Sequence, residues 1–210
     1  MGRVTMPRRR SRRGKGKWTK EKPKKRIFIA TEGVSEYLYF NRLKQKLRAG
    51  NIDVLKCTSK TSPDKVLKRL KKYKPKDGDI RTIDDLWLVI DKDDHDLNAI
   101  FSAADRRKYR FADSNPCFEL WLLMHCKALH EIPGLEGSAA IGGCEKVIEA
   151  LRKHVEPNYH KTRYDVSAYV DRLVAAQENA ETMDKDKDTA WMTSVGTRVY
   201  KLAHSIRGLD

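Results

Sequence analysis

The segment Leu86-Trp-Leu-Val-Ile90 is apolar at every position and runs without interruption into Asp91-Lys-Asp-Asp-His-Asp96. A short continuous apolar run bounded by polar chain suits a strand buried on both faces, the environment of a central strand in a parallel sheet. Such a strand needs helices above and below it, which commits the chain to an α/β architecture. The preceding sequence supplies the parts. Arg26-Ile-Phe-Ile-Ala-Thr31 is a second short β-branched and aromatic run, which stops at Glu32-Gly33 as a buried strand would. From 34 to 48, Tyr37, Leu38, Phe40, Leu43 and Leu47 recur at helical spacing. A further strand is expected over 52–57, and Ser62-Pro63-Asp64 opens a helix that sets Val66, Leu67, Leu70 and Tyr73 on one stripe. The pattern is βαβαβ with helices on both faces of a mainly parallel sheet.

Beyond 96 the pattern turns helical. A weak helix is expected over 97–108, a short strand at 109–112, and a very apolar helix over 116–126 that Ser114 or Asn115 caps and Pro116 begins. A glycine-rich stretch, 134–143, separates it from helices near 144–153, 166–182 and 195–206. The expected organisation is an arm, 1–25, followed by one domain, 26–210, with an α/β core over 26–126 and a mostly helical extension over 127–210.

Charge separates the arm from the domain. The chain has a net charge of +15, and residues 1–26 hold 13 Lys and Arg against the single acid Glu21, so the rest is nearly neutral. So polar a segment cannot repay its ordering entropy by burial, and it is expected to be disordered when free. Its Arg8, Arg9, Arg10, Arg12 and Arg13 suit phosphate backbones, whose counterions they would release, and Trp18 can add base stacking. The plainer alternative is a solubilising tail or an anchor for acidic surfaces. Lys68 and Lys72 lie on a basic helix face that is either a second phosphate-contacting surface or simply solvated. No run of apolar residues is long enough to span a membrane, and no apolar stretch follows the basic start as a signal peptide requires, so a cytoplasmic protein is expected. The cysteines Cys57, Cys117, Cys126 and Cys144 show no C-x-x-C pair or zinc-type spacing and read as reduced, packed thiols, of which only a Cys57 made unusually acidic by its neighbours would be of chemical interest.

Ligands of a parallel sheet gather beyond the carboxyl ends of its strands. Glu32 follows the first strand, and Asp91, Asp93, Asp94 and Asp96 follow the third. On extended chain Asp91 and Asp93 share a face, and carboxylates so placed can hold Mg²⁺ or Mn²⁺, hard ions that prefer oxygen. The plain alternative is a solvated acidic loop in which Asp96 caps the next helix. Glu119 sits among Phe118, Leu120, Trp121 and Leu122, where a carboxylate is costly without a cation or donor. It either joins the site or pairs with a surface base, while His125 reads as a packed histidine.

Three blocks, Phe28-Ile-Ala-Thr-Glu-Gly-Val-Ser-Glu-Tyr-Leu-Tyr-Phe40, Leu88-Val-Ile-Asp-Lys-Asp-Asp94 and Ser114-Asn-Pro-Cys-Phe-Glu-Leu-Trp-Leu-Leu-Met-His125, resemble those of the RloB family, the third being the most specific. RloB-like proteins are similar to the Toprim fold of topoisomerases, primases and overcoming-lysogenization-defect nucleases. The resemblance implies that Glu32, Asp91 and Asp93 bind a divalent metal, with Asp94 beside them. It places Glu36 at a second acidic position, where it joins the metal shell or holds Arg42 or a lysine, and Glu119 in the third block. It implies a metal-dependent nuclease of anti-phage defence by abortive infection, with DNA or an RNA such as tRNA as target and a co-encoded AAA or ABC-type ATPase as partner. Lys92 would contact phosphate if the loop turns it inward. Two other classes remain open from sequence: a non-catalytic nucleic-acid binder using the arm, and a haloacid-dehalogenase-type phosphatase, against which Asp94-His95 counts.

Overall fold

A computed structural model describes residues 24–56, 62–92, 97–104, 108–135, 143–185 and 189–208. In chain order the elements are β1 (Ile27–Thr31), α1 (Val34–Lys46), β2 (Ile52–Lys56), α2 (Pro63–Lys72), β3 (Asp85–Asp91), α3 (Asn98–Ala103), β4 (Tyr109–Asn115), α4 (Glu119–Met124), α5 (Gly143–His154), α6 (Val166–Val170), α7 (Leu173–Met183), β5 (Gly196–Thr197) and α8 (Val199–Arg207). The strands form one sheet in the order β2-β1-β3-β4-β5, parallel except for β5, which is antiparallel to β4. The α/β architecture expected from the apolar strand is therefore present, and β3 is the central strand, with Leu86 through Ile90 all buried.

Strand alternation divides the core in two. Ile27, Ile29, Trp87, Val89 and Ala112 face a large apolar layer made with α1, α4, α5, α7 and α8. Phe28, Ala30, Leu86, Leu88 and Ile90 face a smaller one made with α2 and α3. Most of the helical extension thus packs on the face that carries α1 and α4.

Three sequence expectations change in detail. The strand expected at 109–112 continues to Asn115, so Ser114 and Asn115 end β4 and do not cap a helix; α4 begins only at Glu119. The reason is a long-range partner. Ser114 Oγ and Thr197 Oγ1 lie 2.8 Å apart, and Asn115 Nδ2 donates to the carbonyls of Thr193 and Ser194 at 3.1 and 2.9 Å. The helix expected over 166–182 is two helices, broken at Asp171 and Arg172, and the start of the 195–206 helix is instead the edge strand β5. Among the described residues, no helix is long and apolar enough to cross a membrane.

Candidate active site

β1 and β3 are neighbours and parallel, so the residues that follow them meet despite wide separation in sequence. The backbone N–H of Asp91 donates to Glu32 Oε2 at 3.3 Å. Both residues are half-buried, and Asp91 stands opposite Ser114 across the β3–β4 ladder, which the Lys92 N–H extends by donating to the Ser114 carbonyl at 2.8 Å. Two carboxylates held at adjacent strand ends are hard oxygen donors of the kind Mg²⁺ and Mn²⁺ take. Asp93, Asp94 and Asp96 lie outside the described residues, as do Cys57 and the arm through residue 23, with Arg8, Arg9, Arg10, Arg12, Arg13 and Trp18.

Two more acids pack nearby on the α1 and α4 side, both almost fully buried. Glu36 turns back on the start of its own helix, where Gly33 N–H donates to its Oε1 at 3.1 Å. Gly33 suits this return closely, since a Cβ there would lie 2.6 Å from Glu36 Oε2. Arg42, the cation considered for Glu36, donates instead to Ser167 Oγ at 2.9 Å. Glu119, the first residue of α4, accepts from Tyr159 OH at 2.8 Å and contacts Ser35 Oγ at 3.2 Å, both through Oε1.

Ser35 Oγ lies between the two carboxyl groups, also 3.3 Å from Glu36 Oε2. A hydroxyl has one proton to give, so it can donate to one carboxylate while accepting from the other only if that other is protonated. The electrostatics agree. Burial, and then the neighbouring charge of Glu119, push the Glu36 carboxyl up to about 7 against the pull of backbone donors.

The second oxygen of Glu119 faces Lys161 Nζ at 3.4 Å and Cys144 Sγ at 3.9 Å. Cys117 completes this group: one ligand atom each from Cys117, Glu119 and Cys144 lie within 4.8 Å of one another. Burial raises the Cys117 thiol well above its usual range, helped by Cys144, Glu119 and Asp91. Burial alone would lower Lys161, but Glu119, Cys144, Cys117 and Asp91 together raise it, so it stays a cation. Asp91 therefore acts electrostatically on the Glu119 cluster, and the strand-end pair and the buried acids form one neighbourhood.

Other candidates lie apart or have structural roles. Lys68 and Lys72 are exposed on α2, which packs on the opposite sheet face, and Lys68 pairs with Asp64 at 2.7 Å. His125 is the packed histidine expected of it. Its Nδ1 lies 2.8 Å from the Trp121 carbonyl and its Nε2 2.9 Å from Tyr39 OH, and burial lowers it to about 4, which keeps the ring neutral. Sequence reasoning missed Tyr159, Lys161 and Tyr164, the last donating to the Ser35 carbonyl at 2.7 Å. The signal in the sequence is a loop without apolar periodicity, Pro157-Asn-Tyr-His-Lys-Thr-Arg-Tyr164, that still carries two tyrosines.

A family model for RloB-like proteins matches residues 27–206. No curated protein and no solved structure matches the chain.

Proposed function

The chain belongs to the RloB-like family, and from that premise we propose that it is a divalent-metal-dependent nuclease. The observation that carries this reading is the meeting of Glu32 and Asp91 at the ends of adjacent parallel strands, with the Asp91 N–H bonded to Glu32 Oε2. These two carboxylates, with Asp93 and Asp94 following in sequence, would hold Mg²⁺ or Mn²⁺. When bound, such an ion neutralises a scissile phosphate and acidifies a water. The chain's own residues supply the rest. Lys161, kept charged by Glu119 and its neighbours, offers a cation beside the site, and Lys92 adjoins Asp91. Glu36, pushed up to about 7, can take up or release a proton near neutral pH, and Glu119 fixes Tyr159 and Ser35 around it. The basic arm brings phosphates near. On the same reading the target is DNA or an RNA such as tRNA, the setting is anti-phage defence by abortive infection, and an AAA or ABC-type ATPase regulates the enzyme.

The test is to incubate full-length protein with total tRNA and with plasmid DNA, with and without Mg²⁺ or Mn²⁺, beside Glu32→Gln and Asp91→Asn. Metal-dependent cleavage should fall by about 10²–10³-fold in each variant, as for removal of one group that stabilises charge in a reacting site. Cleavage that persists in both variants would overturn the assignment. Salt-sensitive binding with no cleavage, even with the co-encoded ATPase added, would replace it with a binding module.

A further inference from the structure

We propose that Cys117, Cys144 and Glu119 form a second metal site, for a thiophilic divalent cation of the Zn²⁺ class, chemically distinct from the all-oxygen pair Glu32 and Asp91. The donors come from separate places in the fold. Cys117 lies between β4 and α4, Glu119 opens α4, and Cys144 lies in the first turn of α5. Their ligand atoms already lie within 4.8 Å of one another. Zn–S and Zn–O bonds of about 2.3 and 2.0 Å place ligand atoms of a tetrahedral site roughly 3.5–3.8 Å apart, so closure needs a movement of about 1 Å. Two thiolates and a carboxylate select Zn²⁺ over Mg²⁺, and three protein ligands leave a fourth position open.

Two further features make this a built site. Glu119 is fully buried and oriented: Tyr159 OH at 2.8 Å and Ser35 Oγ at 3.2 Å hold its Oε1, which leaves Oε2 toward Cys144. Metal-binding carboxylates are held by outer hydrogen bonds in this way. A cation also already sits at the donors. Lys161 Nζ lies 3.4 Å from Glu119 Oε2 and 3.8 Å from Cys144 Sγ, on a side chain that is 49% exposed. Without metal, the ammonium compensates the buried carboxylate. With metal, the side chain swings into water and the ion takes over that charge, while the two thiols release their protons to solvent. A bound ion would tie the β4–α4 junction to α5 and, through Ser35, to the start of α1 beside Glu32.

The experiment uses full-length protein kept in a non-thiol reductant. Zn²⁺ is titrated in competition with a chromophoric chelator, bound metal is counted by elemental analysis, and Co²⁺ is substituted as a spectroscopic probe. One Zn²⁺ per chain should bind, and Co²⁺ should give thiolate-to-metal charge-transfer absorption. Cys144→Ser, at a half-buried position, should abolish both, and Cys126→Ser should change neither. Tyr159→Phe should weaken Zn²⁺ about 10-fold by freeing the Glu119 carboxylate, and Lys161→Met should tighten it severalfold by removing the competing ammonium. A Co²⁺ spectrum of oxygen ligands alone, or Zn²⁺ affinity unchanged in folded Cys144→Ser, overturns the proposal. The readouts are metal content and absorption, so this site and the nuclease reading fail or stand separately.

Discussion

The two ends of the parallel sheet both bury carboxylates, and they hold them in opposite ways. Where β3 begins, Arg26 and Arg81 bond Asp84 at 2.7 and 2.8 Å, and Lys25 and Arg110 pair with Asp85 at 2.7 and 3.3 Å. Where β1 and β3 finish, Glu36 and Glu119 share a serine hydroxyl, and Lys161 stands against Glu119. Burial alone raises a carboxyl at either end. At Asp84 the guanidinium groups overcome burial and hold the carboxyl well below its usual range, whereas at Glu36 burial and Glu119 push it up to about 7. Burial is the larger push at Glu36, while at Asp84 two guanidinium partners outweigh it, so depth and partners together set whether a buried acid stays ionised or takes up a proton near neutral pH.

The largest expected effect tests the structural end. Asp84→Asn leaves Arg26 and Arg81 without their shared carboxylate and should cost about 3–4 kcal/mol in urea unfolding at pH 7. Metal-dependent cleavage per folded molecule should be unchanged. A loss under about 1 kcal/mol, typical of an exposed pair, would erase the distinction. The pH dependence has a defined sign. Asp84 is depressed in the folded state, so its contribution is complete above the unfolded value of about 4 and is lost as the pH falls from there through the folded value.

The site end should respond in the reverse sense. Glu36 has a folded value of about 7 against 4.5 for the free group, so the folded state binds the extra proton between them. Its contribution is complete below about pH 4.5 and is lost as the pH rises through 7. Glu36→Gln, which imitates the protonated form, should match wild type at about pH 4 and be about 2 kcal/mol more stable at about pH 8, less than the full shift implies because the Gly33 N–H then bonds a neutral amide. Equal stability of the two proteins at both pH values would place Glu36 with the ordinary ionised acids.

The strand-end acids are readable in the sequence for a local reason: Glu32 and Asp91 each follow an apolar run, and strand polarity dictates that such residues gather at one edge. The capping expected at Ser114 and Asn115 fails because their partners, Thr197, Thr193 and Ser194, lie about eighty positions away and leave no periodic trace. The Cys117, Glu119, Cys144 and Lys161 grouping is invisible for the same reason. Cys117 and Cys144 lack paired spacing because the fold, not a short loop, brings α4 and α5 together. His125 is legible because its burial follows from the apolar helix around it.

A third class of charge sharpens the comparison and should show the smallest effect on stability. Lys68 and Asp64 lie 2.7 Å apart on α2, but their side chains are 66% and 50% exposed, so water screens the pair and holding it costs side-chain entropy. Lys68→Ala should therefore change unfolding by under about 0.5 kcal/mol. Binding separates the two readings of this face. If α2 touches phosphate, the slope of log affinity for tRNA against log salt should shrink by about 0.7–0.9 for the lost contact, with cleavage of bound substrate unaffected. If the face is only solvated, the slope stays at its wild-type value and phosphate contact belongs to the arm and the strand-end site.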